Sequence, residues 1–121
     1  DRLYSEGVLG GRITANRFVE LTSTNPAKAY GLHPRKGTIA VGGDADLVIW
    51  DESAHVITNT ALHHAVDYTP YEGFALRAWP ALTMCRGTVL WDAGQFHPAA
   101  GHGQFLARGA PTLFPRARNA A

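Results

Sequence analysis

Six histidines, ten acidic residues and one cysteine are the groups in this sequence that could do chemistry. A metal site needs three or four ligands that converge. His63 and His64 are adjacent, so on a strand they point to opposite faces and on a helix they diverge by about 100°. His63 and Asp67, four residues apart, could share a helical face, but Pro70 close behind opposes a helix there. His33, His55, His97 and His102 lie beside proline, glycine or strand edges, and no His-x-His pair occurs anywhere. The histidines therefore read as surface and loop residues rather than metal ligands. Asp44 and Asp46, with Asp51 beyond them, resemble paired carboxylates for acid–base work. The first two sit in a glycine turn, however, where capping of backbone amides is the expected role. Cys85 falls in an apolar strand pattern with no histidine fixed near it in sequence, the setting of a small buried hydrophobe rather than a nucleophile. Tyr68, Tyr71 and Glu72 belong to a loop pinned by aromatic packing, either a packed corner or the border of a neighbouring pocket. Arg108, Arg116 and Arg118 form a modest basic run suited to solvent or to a neighbouring subunit. No catalytic, metal-ligating or substrate-binding residue is assigned from these groups.

Composition sets the frame in which such residues would have to be held. The 121 residues are 45% hydrophobic, enough for one compact domain, and 13 glycines with 7 prolines favour turns and short elements. A net charge of +1 provides no field for nucleic acid or an anionic membrane. No apolar run approaches the roughly 20 residues of a bilayer span. A single cysteine excludes an internal disulfide and fits a reducing compartment, so a cytoplasmic protein is expected. The opening Asp1-Arg2-Leu3-Tyr4-Ser5-Glu6-Gly7-Val8 has no start methionine and no leader, and reads as a chain entered in mid-fold.

Local signals then place the elements. Leu3, Tyr4 and Val8 line one side of a helical turn or two, limited by Gly7, Gly10 and Gly11. Thr14 is the expected N-cap of a helix from about Ala15 to Thr22, with Phe18, Val19 and Leu21 on its apolar side. Asn25 as N-cap, Pro26 at the first helical position and Gly31 just past the end specify a second short helix. Thr38–Val41 is expected to be a strand, Gly42-Gly43 a tight turn, and Leu47–Trp50 a strand suited to cover on both faces, with one edge and much apolar surface left exposed for want of partners in this chain. Val56-Ile57 suggests a brief strand, Asn59-Thr60 a turn, and Asp67–Gly73 a second turn. Leu82–Cys85 and Thr88–Trp91 flank Arg86-Gly87 as a hairpin, and Asp92-Ala93-Gly94 turns the chain again before Gln95-Phe96. From His97 onward only Phe105-Leu106 and Leu113-Phe114 offer apolar anchors, so the tail is expected to be disordered unless it docks on another surface.

Several of these motifs also resemble a known family. Thr24-Asn25-Pro26-Ala27-Lys28 with Gly31-Leu32, Arg35-Lys36-Gly37-Thr38-Ile39, and Asp44-Ala45-Asp46-Leu47-Val48-Ile49-Trp50-Asp51 look like the C-terminal part of the cyclic amidohydrolases. His63-His64 with Asp67-Tyr68-Thr69-Pro70-Tyr71-Glu72-Gly73 narrows the resemblance to the dihydropyrimidinase and D-hydantoinase branch. Arg86-Gly87, Asp92-Ala93-Gly94-Gln95-Phe96 and Gly103-Gln104-Phe105-Leu106-Ala107-Arg108 match the same branch.

The resemblance implies a mixed α and β fold: the last helices of a (β/α)8 barrel, followed by the C-terminal strands of a small β-sandwich built from both chain ends. Residues 1–32 would be the terminal barrel helices, 33–96 the sandwich portion with its connecting loop, and 97–121 a tail docking on a neighbouring subunit. Family members open the cyclic amide of hydantoins or dihydropyrimidines with a pair of divalent metals, usually zinc, whose bridging hydroxide is the nucleophile. The resemblance also implies a homotetramer. The ligands of that metal pair, and a substrate-contacting asparagine, belong to segments preceding the one that resembles Asp1-Arg2, so none is carried onto a residue of this chain. The chain is therefore expected to be an inactive portion of such an enzyme. A non-catalytic dihydropyrimidinase-like assembly protein and a small β-rich binding module are the other readings left open.

Overall fold

The computed structural model describes residues 1–113. Phe114, Arg116 and Arg118, and with them part of the expected tail, lie outside the described residues. The fold mixes helix and sheet as expected. A π-helical segment, Leu3–Val8, is followed by helix α1 (Ala15–Val19), a second π-helical segment (Glu20–Thr24) and helix α2 (Asn25–Ala29). Strands β1 (Leu47–Asp51), β4 (Trp79–Cys85), β5 (Thr88–Asp92) and β6 (Gln95–Phe96) form a sheet in the order β1-β4-β5-β6, all pairs antiparallel. The short strands β2 (His55–Val56) and β3 (Ala75–Leu76) pair separately.

Helix boundaries follow the local grammar in one place and override it in another. Thr14 is extended and its Oγ1 accepts from the Arg17 amide at 3.1 Å, the expected N-cap. At the far end Gly31 adopts φ +67°, the Leu32 amide donates to Ala27 O at 2.8 Å and the Gly31 amide to Lys28 O at 3.3 Å. This pair of bonds is the Schellman closure that a glycine after the helix permits. Asn25, by contrast, is not an N-cap: its φ of −67° and ψ of −44° are helical, and α1 runs through the π segment into α2 without a break. Inside an α-helix Pro26 would lose a backbone bond and strike the carbonyl four residues earlier. Here the Asn25 amide reaches back five residues to Glu20 O, and the widened turn makes room for the ring.

The hairpin signals hold. Arg86 and Gly87 take φ +46° and +79° between β4 and β5, the left-handed pair of a two-residue turn that matches strand twist. Pro80 cannot donate to a ladder, yet it lies on the central strand β4. It is tolerated because the β1–β4 register shifts between Ile49 and Trp50, which faces Pro80.

One strand expectation is corrected and another holds. Residues 38–41 are not a strand: no ladder partner faces them among the described residues, and Ile39 and Val41 are exposed. A strand is a paired object, so apolar alternation without a neighbour cannot form one. Leu47–Trp50 is a strand as expected, and its cover is incomplete as expected: Val48 and Ile49 remain about half exposed and β1 is an outer strand of the sheet. Among the described residues the buried apolar set is small, comprising Phe18, Ala27, Ile57, Leu76 and Ala78. No helix among the described residues is long and apolar enough to cross a membrane.

Candidate functional site

The helical run and the sheet meet along an aromatic joint. Tyr4 stacks on Trp50 of β1 with centroids 4.9 Å apart and planes within 3°, and Phe18 of α1 meets both rings edge-on, at 5.2 Å and 6.0 Å. The Tyr4 hydroxyl donates to Glu52 Oε1 at 2.9 Å, and this bond to a carboxylate raises the phenol's pKa. A second tie is polar. Ser5 is completely buried, and its Oγ accepts from the backbone amides of Arg77 (3.1 Å) and Ala78 (3.2 Å), while the Arg77 guanidinium donates to Ser5 O at 2.9 Å.

Beyond this joint the two layers separate around a cavity of about 780 Å³, lined by Phe18, Pro26 and Tyr30 on the helical side and by Leu47, Val48 and Trp50 of β1. Its lining also includes Lys36, Asp44 and Asp46. Lys36 Nζ contacts Asp44 Oδ2 at 2.9 Å and is also paired with Asp46, while Arg35 Nε sits 3.1 Å from Asp44 Oδ2. Asp46 Oδ1 accepts from the Arg86 amide at 2.9 Å, tying the loop before β1 to the β4–β5 hairpin. The expected role of these aspartates is thus corrected. They hold basic side chains and a distant amide rather than amides of their own turn, because the reversal at Gly42 (φ +87°) brings Asp44 and Asp46 back against Arg35 and Lys36.

The hydrogen bond from Lys36 holds the Asp44 pKa below its usual value. Burial works against the Asp46 charge, but its bonds from Lys36 and the Arg86 amide outweigh this and lower its pKa too. Burial likewise opposes the Lys36 charge, and the two carboxylates overcome it and raise the Lys36 pKa. A depressed carboxylate stabilises the fold above its unfolded pKa, and that stability is lost as pH falls through the lower folded value. Thermal stability is therefore expected to fall as pH drops below about 4, the ordinary carboxylate range. The Asp44→Asn/Asp46→Asn double variant should lose most of this dependence. An unchanged acid slope in the variant would show that other carboxylates carry it. The raised Lys36 works in the opposite sense: its contribution is complete below the unfolded lysine value and fades only as pH climbs through the higher folded one.

The remaining candidates are dispersed. His63 and His64 are exposed; His63 packs against Trp91 (5.2 Å) and Phe96 (5.7 Å) beside a smaller cavity of about 270 Å³. His55 stacks on Trp79 at 3.9 Å, and His102 Nε2 lies 3.0 Å from Cys85 O. Tyr68 and Tyr71 are largely exposed, Tyr71 meets Phe74 edge-on, and Glu72 accepts from the Asn59 amide at 2.6 Å, closing the loop as a corner. Cys85 is partly buried, with its sulfur 3.7 Å from the Arg86 guanidinium. Among the described residues no three His, Cys, Asp or Glu side chains come together in a way that could hold a metal ion. The aspartates that do cluster are already neutralised by Lys36 and Arg35, so this set does not fit a divalent metal centre. What the site can do is receive an apolar partner. Ser5 and the aromatic joint had no sequence signal beyond ordinary helix and strand patterning, whereas the ion cluster was marked by charges flanking a glycine turn.

The geometry coincides with a known family. The amidohydrolase family profile matches residues 3–90, and the chain belongs to the amidohydrolase family. Within that family its relatives are dihydropyrimidinases and D-hydantoinases. Rat (Rattus norvegicus) dihydropyrimidinase is 46% identical over 107 residues, covering 88% of this chain and 21% of that protein. The D-hydantoinase of Geobacillus stearothermophilus is 49% identical over 107 residues, covering 88% and 23%. A crystal structure of D-hydantoinase superposes with a TM-score of 0.85 at 48% identity, covering 88% of this chain and 24% of that one. The chain thus spans between a fifth and a quarter of the length of these relatives.

Proposed function

We propose that this chain is the C-terminal portion of a metal-dependent hydrolase that opens cyclic amides of the hydantoin or dihydropyrimidine type, and that its own role there is structural. The observation that carries this reading is similarity over 88% of the chain to proteins named dihydropyrimidinase and D-hydantoinase, of which it spans 21% and 23%. In this reading residues 1–32 are terminal barrel helices and 33–96 contribute strands to a sandwich. In this reading the protein is a cytoplasmic homotetramer; of the expected subunit-docking tail (97–121), residues 97–113 bond to this chain's own hairpin and helix end. The outer strand β1, with Val48 and Ile49 half exposed, then offers a free edge to strands from the rest of the polypeptide. The divalent metal pair, zinc by family precedent, would be held by residues outside this chain.

The test is ring opening of hydantoin and dihydrouracil. The chain alone, with added Zn²⁺, is expected to show no turnover above a metal-free control, and light scattering should show self-association through its uncovered apolar surface. Metal-dependent turnover by the chain alone would overturn the structural role.

A further inference from the structure

Residues 97–113 contain no helix or strand, yet they are not free of the body of the protein. At one end they are tied to the sheet: His102 Nε2 lies 3.0 Å from Cys85 O, and the Arg86 guanidinium donates to His102 O. At the other end they are tied to the helices. The Gly109 amide donates to Gly31 O at 2.8 Å and the Thr112 amide to Lys28 O at 2.9 Å. A carbonyl oxygen can accept two bonds, so Lys28 O, already bonded by the Gly31 amide, takes a second donor from the arm, and Gly31 O just past the helix takes another. The crossing is tight enough that a Cβ built on Gly31 would run into the Gly109 carbonyl, so glycine is required at position 31.

Neither anchor lines the 780 Å³ cavity itself, but each adjoins a residue that does. Gly31 directly follows Tyr30, which lines its helical wall. The Cys85-Arg86 turn is bonded through the Arg86 amide to Asp46, which lines the other. We propose that residues 97–113 act as an intramolecular clasp that ties the C-terminal end of the helical run to the β4–β5 hairpin and thereby fixes the width of the groove between them. The inference rests on these contacts and does not depend on the enzyme reading above.

Spin labels at Tyr30→Cys and Val48→Cys, placed in a Cys85→Ser background, span the groove from its two exposed walls. Diluted with excess unlabelled chain, so that only distances within one chain are read, the labelled chain should give one narrow distance distribution. Gly109→Pro removes the donor to Gly31, Thr112→Pro removes the donor to Lys28, and the pair together should broaden that distribution. Gly103→Ala provides the control, since Gly103 lies in the same arm, has no positive φ, and nothing lies within 4 Å of its Cβ position. It should leave the distribution narrow. An unchanged distribution in the double proline variant would overturn the clasp. Should that variant fail to fold, hydrogen exchange on the unaltered chain still decides. The Gly109 and Thr112 amides should exchange more than about tenfold slower than unstructured peptide, as bonded amides do. Free-peptide exchange at both, with Leu32 protected, would overturn the proposal. So would protection that appears only when the chain self-associates, since the arm would then be docking on another copy.

Discussion

Replacing Ser5 by alanine is expected to destabilise the fold by about 2–3 kcal/mol, since a buried donor left without its acceptor loses about 1–3 kcal/mol. The Oγ is the acceptor for two amides, those of Arg77 and Ala78, and it is fully buried, so water cannot replace it without opening the structure. Alanine keeps the Cβ and helix propensity, which isolates the lost acceptor from packing and backbone effects. Urea unfolding should show a lower midpoint with an unchanged slope, because the surface exposed on unfolding stays the same. A shift under about 0.5 kcal/mol, the range of ordinary surface substitutions, would mean that those amides find other partners.

The second large effect is expected at Trp50. Trp50→Ala removes the ring on which Tyr4 stacks and which Phe18 meets edge-on, so it cuts the joint between helices and sheet in one step. Core aromatic truncations lose about 3–5 kcal/mol. Trp50 is only partly buried, so a loss of about 2–4 kcal/mol is expected, part of it from pairwise ring contacts of about 0.5–1.5 kcal/mol each. A double-mutant cycle with Tyr4→Leu reads that pairwise part directly. Coupling within the usual additivity error of about 0.3–0.5 kcal/mol would show that the stacked rings merely lie side by side.

Local chemistry was legible where a residue's own backbone preference decides the outcome. Gly31, the Arg86-Gly87 turn and Thr14 fall into this group, because a left-handed φ or a short capping hydroxyl needs no information from elsewhere in the chain. The errors all involve a second party. Thr38–Val41 has strand chemistry but no neighbour to pair with. Asn25-Pro26 carries a helix-start signal that a widened turn upstream made unnecessary. Asp44 and Asp46 look like turn caps until the folded loop brings Lys36 and the hairpin amide to them. Ser5 was invisible for the same reason, since its partners lie 72 and 73 residues away. The functional reading was legible through motif order rather than through any reactive group.

The π-helical turn at Glu20–Thr24 has a consequence for the phase of everything after it. One residue beyond the α-helical count rotates the following turn by about 100° relative to a regular helix. That offset is what directs Ala27 inward against Gly37, where even a Cβ on the glycine would come within 2.5 Å of the Ala27 methyl. The helical run therefore behaves as though it carried a fixed single-residue insertion. Shortening the run by one residue would restore ideal helix geometry locally while turning Ala27 out of its seat and driving the Pro26 ring into the backbone. Length in this segment is constrained more tightly than residue identity.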